Sequence, residues 1–190
     1  MIIGIDLAKD GNKTGIAYFV DGSIRTATLT SIEEVISISL HFKMAYIDAP
    51  LSLPYDRKSI DHNNGNNHRQ CDKMLLLRHV RFFPISLGPM RELTREGIKL
   101  SSALSSHHLF VHEAFPGAFY DAFSIDRKDI KEQKIIYKKL GFTTRAKNQH
   151  ESDAIACLLT GLLDTRGEVE HYYGLDGCIA VPRPYTKALL

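Results

Sequence analysis

Residues 1–20, MIIGIDLAKDGNKTGIAYFV, decide how the rest of the chain is read. The apolar run 2–7 carries one carboxylate, Asp6, and predicts a buried strand. KDGNKTG (9–15) is rich in turn formers, and 15–20 alternates well enough for a second strand. Asp21-Gly22 supplies a two-residue hairpin turn that returns the chain as a third strand over 23–29. The starting expectation is an antiparallel meander whose first strand ends in an acid.

Working outward, Thr30 or Ser31 can cap a helix with Glu33 and Glu34 in its first turn. MAYID (44–48) predicts a fourth strand, stopped by Pro50. The stretch 51–67, LSLPYDRKSIDHNNGNN, is expected to be a mobile loop, with 55–68 the least ordered internal segment. Helices over 71–79 and 91–106 flank FFPISLGPM, and 108–113 predicts a fifth strand before Phe115-Pro116-Gly117. Helices follow near 118–123, 130–140 (stopped by Gly141) and about 151–164. Residues 172–177 are expected to turn, and 178–181 to form a short terminal strand. The expectation is one α/β domain over 1–190, with a mixed five-stranded sheet and helices on both faces. Its first three strands are antiparallel, and a helical insertion falls at about 51–107.

Composition narrows the function classes. With 44% hydrophobic and 24% charged residues the chain can build a core, which excludes a disordered protein. No apolar run reaches the ~18–20 residues that span a bilayer, and MIIGIDLAKD lacks the basic start of a signal peptide. The three cysteines form no C-x-x-C, so a reduced, cytoplasmic protein with no membrane partner is expected. His62, His68, Cys71 and His79 match no zinc spacing. No nucleotide phosphate loop and no serine-hydrolase elbow occurs.

Charge is unevenly spread. Residues 57–99 hold nine basic and four acidic side chains, and 125–150 hold eight and three. Basic helices around an acidic centre suit a polyanion such as nucleic acid, although solvated helix faces look the same in sequence. Arg91, Arg95 and Lys99 are spaced at four and line one helix face. Arg57, Lys58 and Arg69 sit at the ends of the Asn-rich loop, where they could close over a phosphate backbone.

The acids carry the chemistry. Asp6, Asp48 and Glu113 lie at strand ends, where open α/β sheets place their ligands. Asp153 lies in the first turn of the last helix, beside His150 and Glu151. Carboxylates brought together repel unless a proton or cation sits between them. Mg²⁺ or Mn²⁺ meets that need with hard oxygen ligands, and two ions ~3.5–4 Å apart can clamp a phosphodiester in line. Each acid also has a plainer reading: strand terminator for Asp6, turn former for Asp48, strand-end ion-pair partner for Glu113, helix-dipole complement for Glu151 and Asp153. Asp6, between Ile5 and Leu7, is the candidate ligand shared by two ions.

GIDLAKDGNKTGIA (4–17), IDAPLSLP (47–54), RQCDKML (69–75), PMRELTREGIKL (89–100), HEAFPGAF (112–119) and HESDAIACLLTG (150–161) occur in this order. Together they resemble the domain-of-unknown-function 429 family, predicted nucleases with a ribonuclease-H-like fold. The resemblance runs from Met1 to about Pro182. A more distant similarity is to RuvC-type junction resolvases, which also combine a first-strand Asp with a final-helix H-x-x-D. The resemblance implies a metal-dependent nuclease that hydrolyses nucleic-acid phosphodiesters with two Mg²⁺ or Mn²⁺ ions. It matches Asp6 to the first-strand acid, Asp48 to the fourth-strand acid and Asp153 to the closing-helix acid. Glu113 falls on the family's own E-x-x-P-G motif, so either Asp48 or Glu113 can complete the metal shell. His150 joins these four as a catalytic candidate, and Glu151 as a metal candidate. Two alternatives stand beside this reading: a non-catalytic nucleic-acid-binding or scaffold protein of the same fold, and an actin-like ATPase-type phosphotransferase, whose first strand also reads G-I-D-x…T-G.

Overall fold

The computed structural model describes residues 1–62 and 64–184. Its sheet opens with the antiparallel meander β1 (Ile2–Asp6), β2 (Thr14–Val20) and β3 (Ser23–Leu29). Helix α1 (Ile32–Ser39) is capped by Ser31, whose hydroxyl accepts from the Glu34 N–H. Strand β4 (Met44–Asp48) returns parallel to β1, in register from Ile2–Met44 to Asp6–Asp48. Helices α2 (Gln70–Leu77) and α3 (Gly88–Ser106) lead to β5 (Phe110–Ala114), parallel to β4. Then come α4 (Pro116–Ala122), α5 (Ile130–Lys139) and α6 (Gln149–Thr165).

The expected five strands are corrected to seven. After α6 the chain forms β6 (Val169–Gly174) and β7 (Gly177–Pro182), and the sheet order is β3-β2-β1-β4-β5-β7-β6. Residues 172–177 read as a turn because of their two glycines, but both glycines end strands. A side chain at Gly174 would come within 2.5 Å of the Gln70 Cβ, and one at Gly177 within 2.6 Å of the Ser52 hydroxyl. Close packing selects glycine there, while the turn itself is Leu175-Asp176.

Strand alternation sorts the two layers. Ile3, Ile5, Ile16, Ala45 and Ile47 face one way, onto Val35 of α1 and Leu100 and Leu104 of α3. On the other face α6 lies across β1, β2 and β4, and Ala154, Ile155, Leu158 and Leu159 share a core with Phe119, Tyr120 and Tyr137 of α4 and α5. Each fully buried Leu or Ile in these cores contributes about 1.5–3 kcal/mol.

The polar segment after β4 is folded around a cation. Arg57 is buried and donates to the carbonyls of Ser59, Ile60 and Asn66 and to the Asn67 side chain. No helix among the described residues is long and apolar enough to cross a membrane.

Candidate active site

Two glycines position the site. Asp6 pairs in register with Asp48 on one side and with Gly15 on the other. A side chain at Gly15 would fall 2.1 Å from the His150 carbonyl, and one at Gly4 would fall 2.2 Å from the Ala154 carbonyl. With hydrogen in those places, α6 rests directly on the backbone of β1 and β2. Its first turns are thereby pressed onto the strand ends that carry Asp6 and Asp48. The helix is started by Asn148, whose side chain accepts from the Glu151 N–H.

The result is a cluster of three aspartates. Asp6 accepts at 2.8 Å from, or shares a proton with, Nδ1 of His150; the Asp6 side chain is 14% exposed and His150 46%. Asp153 accepts from the Tyr120 hydroxyl at 2.7 Å and from Nε2 of Gln149 at 2.8 Å. Asp48 has no hydrogen-bond donor to its carboxylate among the described residues. Burial pushes all three carboxyls up. For Asp153 the shift is to about 7, from burial and then the charge of Asp6. For Asp48 it is large, from burial and then the charges of Asp6, Asp153 and Glu113. Asp6 is raised less, because the His150 hydrogen bond and charge oppose burial; the same contact lifts the His150 imidazole.

Among the described residues Asp48 has no partner of its own, Asp6 has only the half-exposed His150 and Asp153 only neutral donors, and all three offer hard oxygens. That set fits a divalent cation such as Mg²⁺ or Mn²⁺. Among the described residues no three His, Cys, Asp or Glu side chains close into a ligating group. Asp6 is turned to His150, and Asp153 to Tyr120 and Gln149.

The remaining expected site residues have other partners. Glu113 pairs in register with Ile47, so it emerges on the opposite face of the sheet from Asp48. Its two oxygens accept from both terminal nitrogens of Arg69 at 2.6 Å, and from the Leu51 N–H at 3.0 Å. Arg69 is 1% exposed and also binds Asp72. Glu151 is buried against β3, accepting from Thr26 and from the Lys147 N–H. Arg91 and Arg95 reach Asp61, Arg95 also reaches Glu92, and Lys99 reaches Glu96. Lys58 is exposed. Sequence reasoning missed Tyr120 and Gln149. Gln149 stands four residues before Asp153 on the same helix and was legible; Tyr120 comes from another element and was not.

The chain matches the sequence profile of the family described as Protein of unknown function (DUF429) over residues 4–123. The chain belongs to that family. No curated protein matches it in sequence. Among solved structures, the Thermus thermophilus RuvC in complex with a Holliday junction substrate is similar, at 12% identity. The alignment covers 93% of this chain and 98% of that chain, with a TM-score of 0.54. A second Thermus thermophilus RuvC structure aligns at 13% identity over 95% of this chain and 98% of that one, with a TM-score of 0.47. The first likeness shows that this DUF429 member shares the fold of that RuvC structure.

Proposed function

We propose that this protein is a metal-dependent nuclease that hydrolyses phosphodiester bonds of nucleic acid at the Asp6–Asp48–Asp153 cluster. The observation that carries the reading is the in-register pair Asp6–Asp48, which faces Asp153 across the glycine-lined seat of α6. Divalent ions bound there would supply Lewis-acid stabilisation of the phosphate and an activated water. The chain's own part is to fix the carboxylates and to handle protons. Gly4 and Gly15 set the height of α6 above the sheet. Tyr120 and Gln149 orient Asp153. His150 holds Asp6 through Nδ1, and its half-exposed ring offers Nε2, which has no protein partner among the described residues, for exchange with the solvent side. Glu113 holds the Arg69 guanidinium and the Leu51 backbone just beyond Asp48, so in this reading it shapes the wall of the site.

The test uses purified protein, a panel of DNA and RNA substrates, and Mn²⁺ with and without chelator. Asp6→Asn keeps the shape and removes one charge, and cleavage should fall at least on the order of a hundredfold. Cleavage undiminished in Asp6→Asn would overturn the reading. Metal-independent binding with no cleavage of any substrate would favour the non-catalytic alternative.

A further inference from the structure

Beside Asp48 the ends of the strands open into a cavity of about 290 Å³. Its floor is Asp48, Glu113 and Ile179, and its walls come from α2, the start of α3 and the connection 78–87 between them. Three aromatic rings line it: Phe82, Phe83 and Phe115. Phe83 is 66% exposed, although a side chain of that size is ordinarily buried. Arg127 lies over the Phe115 ring, 5.5 Å from its centroid, and is held there by Asp121 and the Arg81 carbonyl. The Arg81 side chain is exposed and forms no ion pair among the described residues. A wider trough of about 750 Å³ continues from the same four residues, Arg81, Phe82, Phe83 and Arg127, past His79 and Leu76.

Three physical facts select the occupant. The cavity is at the lower end of the ~300–1,000 Å³ range of small-molecule sites, so it admits one ring system and no paired helix. Its aromatic walls offer stacking faces, while its floor carries the carboxylates of Glu113 and Asp72 beside Arg69. With Asp48 that floor holds more carboxyls than cations, which disfavours a phosphate there, while the oxygens of Glu113 and Asp72 are already taken by Arg69. The cations stand at the rim, where a backbone phosphate would lie. Stacking faces with flanking arginines are how proteins hold unpaired bases.

We propose that this cleft takes an unpaired nucleotide, with its base among Phe82, Phe83 and Phe115 and its phosphate on Arg81, so that the substrate is single-stranded at the cut. The proposal rests on the nuclease reading and adds the substrate class to it. Arg81 and Phe83 act here as binding residues, with no part in the chemistry.

The experiment measures binding apart from cleavage. Single-stranded DNA and RNA oligonucleotides and the matching blunt duplexes, fluorescently labelled, are titrated in chelator at fixed salt. Single strands of one or both sugars should bind at least about tenfold tighter than the duplexes. Phe83→Ala should cost about tenfold on single strands and leave the duplexes unchanged. The chain contains no tryptophan, so Phe83→Trp introduces one fluorophore at an exposed position. That variant should keep the affinity and be quenched by single strands only. Arg81→Ala should lower the slope of log K against log salt by about 0.7. Equal affinity for duplex and single strand, or an unchanged affinity in Phe83→Ala, would overturn the proposal; Mn²⁺-dependent cutting in that case would leave the nuclease reading standing. Phe83-dependent binding of single strands without cutting would support the cleft and count against the nuclease.

Discussion

Asp153 is a carboxyl whose ionisation the fold opposes. In an unfolded chain it releases its proton near 3.8, and in the native protein only near 7. Between those values the native state keeps a proton that the unfolded chain has lost. Native stability therefore falls as pH rises from about 4 to about 7, and stays at the lower level above that. Asp153→Asn removes this titration. In chelator the variant should be flatter across that range, and more stable at pH 8 by about 1–2 kcal/mol once partial solvent access is discounted. Urea unfolding at pH 5 and pH 8 measures both. Saturating Mn²⁺ should stabilise the native protein at pH 8 and the variant much less, since a ligand stabilises only the state that binds it.

At the scale of elements, two contacts set the geometry. Gly15→Ala places a methyl group inside the His150 carbonyl and must lift the start of α6. We expect a loss of about 1–3 kcal/mol by denaturant melting, and a fall in cleavage of about a hundredfold from displacing Asp153 and His150. Arg69 ties α2 to the end of β5 through Glu113 and Asp72, with all three buried. Arg69→Ala leaves two buried carboxyls without their cation and should cost about 3–5 kcal/mol. Arg69→Lys should recover only part, because a single ammonium cannot match the two-pronged contact with Glu113. Much of this layer was legible. The Asp21-Gly22 hairpin, the Asp6 strand and the MAYID strand all carry local signals that the fold obeys. What was illegible depended on partners far along the chain. Nothing near Glu113 announces Arg69, forty-four residues away. Nothing near Gln70 announces that Asp176 accepts its backbone N–H and so caps α2. The Asn-rich loop read as mobile because it is polar and poor in core residues, and the burial of Arg57 under three carbonyls follows only from the folded chain.

The whole molecule carries two basic blocks that sequence treats alike and structure does not. On α3, Arg91, Arg95 and Lys99 are matched by Asp61, Glu92 and Glu96. On α5, Lys131, Lys138 and Lys139 are exposed and form no ion pair among the described residues. Counterion release is governed by cations free to meet phosphate. Replacing the three α5 lysines with alanine should lower the salt slope of oligonucleotide binding by about 2, at ~0.7–0.9 per phosphate contact. The same change on α3 should lower it by less than about 1. Strand β7 has a consequence of a different kind. It is an interior strand, wedged between β5 and β6, yet it is made from residues 177–182. A ribosome delivers these residues after every other described strand, so the nascent polypeptide waits with the flank of β5 unzipped until they emerge. A chain cut short before Gly177 would keep a permanently sticky seam along β5, a substrate for chaperones and proteases.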